Sequence, residues 1–102
     1  MQDWTEQELK TAIQWKRTFC VYLYTPMCGT CQVASRMLSI VLEMFPDITC
    51  GKMNMNFAKD IPAQYEIESV PCLLIFKEGQ PEKKIYAFQS VPYLYDILKG
   101  AI

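Results

Sequence analysis

The hydrophobic positions change period along the chain. Leu9, Ala12 and Ile13 recur at helical spacing and predict a helix from about Thr5 to Trp15. Thr5 and Glu8 stand at capping-box spacing at its start, with Trp4 and Leu9 placed for a hydrophobic staple. Phe19 to Tyr24 is an unbroken run of apolar and β-favouring residues, the pattern of a strand buried on both faces. Thr25-Pro26-Met27 breaks it. Ala34, Met37, Leu38, Val41 and Phe45 return to helical spacing and predict a helix from Cys28 or Cys31 to Phe45, ended by Pro46-Asp47. Ile48 to Met55 reads as a weaker strand, in which Gly51 marks an edge or a close approach. A short helix follows over Phe57 to Gln64, disturbed by Pro62. Cys72 to Phe76 is a third strand, Lys77 to Pro81 a turn, and Lys83 to Phe88 an alternating edge strand. Ser90 caps a last helix in which Val91, Leu94, Tyr95 and Leu98 share a face.

The order α-β-α-β-α-β-β-α predicts an α/β fold: a four-stranded mixed sheet flanked by helices on both faces. Its first two strands are joined by a helix and should be parallel with a right-handed crossover; the last two are joined by a turn and should be antiparallel. A chain of 102 residues is expected to form a single domain, residues 1–102. Half of it is hydrophobic (51%) and 21% is charged, enough for a packed core. Ten basic and 11 acidic residues give a net charge of −1, which excludes wrapping nucleic acid by bulk electrostatics. The chain has no histidine, which excludes Ser-His-Asp and Cys-His hydrolysis and His-ligated zinc. The N-terminus, Met1-Gln2-Asp3-Trp4-Thr5-Glu6, is acidic and lacks the apolar stretch of a secretory signal. Val70 to Phe76 falls far short of the ~20 apolar residues a membrane helix needs. Five cysteines, an odd number, argue against a closed secreted disulfide framework. A cytoplasmic protein, away from the membrane, is expected.

Chemistry concentrates at Cys28-Gly29-Thr30-Cys31, a Cys-x-x-Cys where a buried strand gives way to a helix. A helix start offers free N–H groups and the positive end of the dipole, which stabilise a thiolate and lower its pKa. Three residues along the helix keep the second sulfur on the same face, within disulfide reach. Cys28 would be the exposed attacker and Cys31 the buried resolver. Two other readings share the spacing: buried spectators, or half of a zinc ribbon, for which Cys20, Cys50 and Cys72 supply no second pair.

At these residues the chain resembles the thioredoxin family. Lys52-Met53-Asn54-Met55-Asn56 is similar to the family's Lys-x-Asn-x-Asp strand. Tyr65-Glu66-Ile67-Glu68-Ser69-Val70-Pro71, followed by Leu73-Leu74-Ile75-Phe76-Lys77-Glu78-Gly79, resembles the segment around its cis-proline. The resemblance implies the thioredoxin fold, with Pro71 as the cis-proline facing the disulfide and keeping metal from the sulfurs. It implies that Met27, Gly29, Thr30 and the Val70 backbone receive a substrate strand by edge pairing. The glutaredoxin pattern is absent: there is no Cys-Pro-x-Cys and no Gly-Gly after the last strand.

The departures are specific. Met27 replaces the usual Trp, Gly29-Thr30 the Gly-Pro pair, Arg36 the proline that kinks the active-site helix, and Ala87 a glycine. Tyr22 replaces the buried Asp; with a reference pKa near 10 it is a poor base at pH 7, leaving Lys52 or water for that role. The N-terminal edge strand is expected to be absent or a stub. Cys72, beside Pro71, reads as a small buried residue or as a third thiol. Cys20 and Cys50 read as inert packing residues. Lys83 and Lys84 read as protection of the edge strand.

These readings converge on a dithiol–disulfide oxidoreductase in cell redox homeostasis, with no organic cofactor and no metal. Its partners would be disulfide-containing proteins and an upstream reductant of the thioredoxin-reductase type, and the protein is expected to be a monomer. The alternatives are a thioredoxin-like binding module or redox sensor with little turnover, and a metal carrier using Cys28, Cys31 and Cys72.

Overall fold

The two unbroken apolar runs become neighbouring central strands in the computed structural model, which describes residues 1–101. They are β2 (Phe19–Tyr24) and β4 (Cys72–Lys77), antiparallel, with Leu23 opposite Cys72 and Phe19 opposite Phe76. Their side chains alternate between two apolar layers. Cys20, Tyr22, Leu73 and Ile75 face one layer; Phe19, Val21, Leu23, Cys72, Leu74 and Phe76 face the other. Burial on both sides is why neither strand shows polar alternation.

β3 (Thr49–Asn54) runs parallel to β2 on its far side, and β5 (Gln80–Ile85) pairs antiparallel with β4. A two-residue strand, β1 (Gln2–Asp3), adds to β3 through Gln2 opposite Gly51 and Asp3 opposite Lys52. The sheet therefore has five strands in the order β1-β3-β2-β4-β5: the four expected, plus the N-terminal edge strand as a two-residue stub. The addition is possible because Gly51 has no side chain: a Cβ there would overlap the Trp4 ring, which lies on the strand. Trp4 N–H also donates to Lys52 O at 2.8 Å.

Helices α2 (Gly29–Leu42) and α4 (Val91–Ala101) cover the layer containing Tyr22. Helices α1 (Glu6–Gln14) and α3 (Asp60–Gln64) cover the other. The Thr5–Glu8 capping box is complete at the start of α1, and Ser90 Oγ accepts from Tyr93 N–H at 3.2 Å at the start of α4. Three boundaries differ from the pattern. α2 stops at Leu42, before Phe45. α3 starts at Asp60 rather than Phe57, and Pro62 stands in its first turn, where its missing N–H leaves no bond unmade, so it belongs to the helix rather than disturbing it. β5 begins at Gln80 and ends at Ile85 instead of covering Lys83 to Phe88. Glu78 and Gly79 both take positive φ (52° and 81°), making a two-residue turn tighter than the five-residue one expected.

The start of α3 is held by a contact from far along the chain. The Glu6 carboxylate accepts the N–H groups of Lys59, Asp60 and Ile61, each at 2.9 Å. Among the described residues no helix is long and apolar enough to cross a membrane.

Candidate active site

Pro26 and Met27 turn the chain out of β2, and Cys28 N–H donates to Thr25 O at 3.3 Å to close that turn. Cys28 is the N-cap of α2, with extended backbone (φ −101°, ψ 108°). Its Sγ takes the place an Asp or Ser oxygen fills at other caps, accepting the Cys31 N–H at 3.1 Å. Thr30 Oγ1 lies 3.3 Å from the same sulfur. Cys28 and Cys31 are joined as a disulfide, with Cα atoms 5.2 Å apart. Cys28 is half-buried, whereas Cys31, one turn into the helix, is 3% exposed. Met27 is 95% exposed beside them, and Gly29 and Thr30 are also on the surface.

Because β4 is antiparallel to β2, its first residues lie next to the end of β2 that leads to Cys28. Val70 and Pro71, both half-buried, precede Cys72 there, and the bond between them is cis. Pro71 and Thr30 line one surface groove of about 430 Å³, together with Val33, Met37 and Phe88. Thr30 and Pro71, from two distant segments, thus share one face of the molecule. Phe88 could not be read as part of it, since it lies past the end of β5.

Behind the disulfide a second cleft, of about 380 Å³, is lined by Cys31, Tyr22, Tyr24, Arg36 and Lys52. Tyr22 is buried, and its hydroxyl donates to the Cys31 carbonyl. Burial, helped by neighbouring Tyr24, pushes its phenol up to about 12. The phenol is thus a donor that ties the first turn of α2 to the sheet, and no base at neutral pH. Lys52, opposite Tyr22 in the β2–β3 register, holds its Nζ 5.8 Å from the centre of the Tyr24 ring. Tyr24 OH donates to Asp3 Oδ1 at 3.1 Å, so the short β1 contributes a carboxylate beside this cleft. Arg36 lies within α2, which runs unbroken from Gly29 to Leu42.

Cys72 takes no part in either opening. It is 0% exposed in the layer on the far side of the sheet from Tyr22. Burial pushes its thiol up to about 12, against a smaller opposing pull from Lys84. No three Cys, Asp or Glu side chains converge as metal ligands among the described residues. Lys84 Nζ donates to the Tyr65 and Glu66 carbonyls, at 3.2 and 3.1 Å, across the outer side of β5.

A family model, Thioredoxin, matches residues 1–99. The chain belongs to the thioredoxin family. It is 51% identical over 81 residues to the thioredoxin-like protein YusE of Bacillus subtilis, covering 79% of this chain and 76% of that one. A thioredoxin of Alicyclobacillus acidocaldarius is 31% identical over 90 residues, covering 83% and 82%. In fold it is similar to the oxidised mitochondrial thioredoxin 3 of Saccharomyces cerevisiae, with a TM-score of 0.86 at 22% identity, covering 98% and 94% of the two chains. Membership, together with a Cys-x-x-Cys pair at disulfide distance, makes this thioredoxin-family protein a thiol–disulfide oxidoreductase of cell redox homeostasis.

Proposed function

We propose that Cys28 is the attacking thiol and Cys31 the resolving one, acting on disulfides in folded or unfolded proteins. The observation that carries this reading is the N-cap geometry: the half-buried Cys28 Sγ already accepts a helix N–H, at 3.1 Å. In the reduced state that N–H and the helix dipole stabilise a thiolate in the same place. The thiolate attacks one sulfur of the substrate disulfide, forming a mixed disulfide and releasing the other sulfur as a thiolate. Cys31 then attacks Cys28 Sγ, the substrate leaves reduced, and the Cys28–Cys31 bond closes.

Cys31 must lose its proton in the second step. Tyr22 cannot take it, since its phenol is held at about 12. The cleft behind the disulfide is lined by Cys31 and Lys52, and water in that cleft is the acceptor left for the proton. The substrate strand lies along Val70 by backbone pairing, with Pro71, Met27, Gly29 and Thr30 as its floor. An upstream reductant of the thioredoxin-reductase type restores the dithiol. The protein works as a cytoplasmic monomer.

Replacement of Cys31 by Ser tests the assignment. Cys31→Ser should accumulate a mixed disulfide between Cys28 and a protein substrate, stable until a strong dithiol is added. Cys28→Ser should form none and lose turnover. Trapping through Cys72 or Cys50, or equal trapping by both variants, would overturn it.

A further inference from the structure

Cys20 and Cys50 are far apart in sequence, and nothing in the pattern links them. The parallel register of β2 and β3 sets them directly opposite each other. Both side chains enter the same apolar layer, beneath α2 and α4. Neighbouring strands run about 4.8 Å apart, inside the roughly 4.4–6.8 Å that a disulfide spans between Cα atoms. Cys20 is 2% exposed and Cys50 9%, so of the two it is Cys50 that a small molecule reaches first. Cys72 faces the opposite layer and cannot compete for either sulfur.

We propose that Cys20 and Cys50 are a second redox pair: a buried dithiol that hydrogen peroxide closes into a disulfide joining β2 to β3. In the first step peroxide transfers an oxygen to the Cys50 sulfur, its O–O bond breaks, and water leaves as the thiol becomes a sulfenic acid. In the second, the Cys20 sulfur attacks the sulfenic sulfur, the S–O bond breaks and a second water departs. Two thiols are oxidised by two electrons and one peroxide is reduced to two waters. The Cys50 thiol is held well above its ordinary range, first by the adjacent Cys20 thiol and then by burial. Thiolate is therefore scarce, and the pair closes more slowly than Cys28–Cys31. It responds to lasting oxidation, not to each catalytic cycle.

The test uses the Cys28→Ser/Cys31→Ser double variant, in which the exchange site is absent, so the outcome is independent of the roles proposed for it. The folded protein is treated with hydrogen peroxide, unfolded in the presence of an alkylating agent, and peptide-mapped. The expected map shows Cys20 bonded to Cys50 and Cys72 alkylated. Closure should be at least about tenfold slower than that of Cys28–Cys31 in the unsubstituted protein, because both sulfurs are buried away from solvent and from helix N–H donors. The closed form should also unfold at higher urea. The unsubstituted protein, first oxidised at Cys28–Cys31, gives the same reading should the double variant fail to fold. Two alkylated thiols, separate sulfinic acids on Cys20 and Cys50, or a bond from either to Cys72 would overturn the proposal.

Discussion

Strand β2 has a sulfur pair at each end: Cys20 beside Cys50 near its start, and Cys28 beside Cys31 just past its finish. In both pairs the Cα separation suits a disulfide, so proximity does not distinguish them. What differs is the backbone around each sulfur. At the Cys28 end the sheet has stopped and a helix has begun, so N–H groups are free to point at sulfur, and water reaches it. At the Cys50 end both sulfurs lie on paired strands in the middle of a ladder, with no helix start beside them. The Cys50 thiol turns instead toward the Gly51 carbonyl, at 3.7 Å, an acceptor that favours the protonated form. The same side chain becomes a nucleophile in one place and a slow reserve in the other because only one place offers donors and solvent.

Alkylation rates give the largest expected difference. In the reduced protein Cys28 should react on the order of 100-fold faster than Cys20, Cys50 or Cys72, because thiolate fraction and access both favour it. Mass spectrometry of each cysteine peptide against time checks this. Comparable rates for Cys28 and Cys50 would erase the contrast.

Gly51→Ala should disturb the closed end alone. The added Cβ meets the Trp4 ring, so β1 must lift from β3. A loss of about 1–3 kcal/mol is expected from overpacking, measured by urea unfolding. Cys50 alkylation should speed up while Cys28 stays unchanged. A parallel change at Cys28 would mean the two ends are mechanically coupled.

Tyr22→Phe has the smallest expected effect and reports on the space between the pairs. It removes the donor to the Cys31 carbonyl and should cost about 1 kcal/mol at pH 7. Turnover should stay within a factor of a few, since a phenol held near 12 moves no proton at neutral pH. The pH dependence has a definite sign. Tyr22 rises from 10.0 to about 12 on folding and Cys72 from 9.0 to about 12, so both stay protonated longer in the folded state. Their contribution is complete below pH 9 and is lost as pH climbs toward 12. Urea midpoints measured upward from pH 9 should fall less steeply in Tyr22→Phe than in the unsubstituted protein.

Elements governed by local rules were legible in the sequence. The Thr5–Glu8 box, the doubly buried runs of β2 and β4, and the cysteine spacing at a strand-to-helix junction all depend on residues within one or two turns of each other. Such contacts follow from spacing alone, because 3.6 residues per turn and alternation along a strand are fixed by the backbone. The face shared by Pro71 and Thr30 was reached through likeness to a family, not through spacing.

Contacts between distant segments were settled by tertiary structure. The fifth strand is two residues long, too short for any periodicity, and exists because Gly51 leaves room for Trp4. The Glu6 carboxylate finds three N–H groups more than 50 residues away. The neighbourhood of Cys20 and Cys50 is a matter of register, and a shift by one residue would send one sulfur to the opposite face of the sheet. Register is fixed by the joint packing of both apolar layers, a property of all the strands and helices together, which no single stretch of sequence carries.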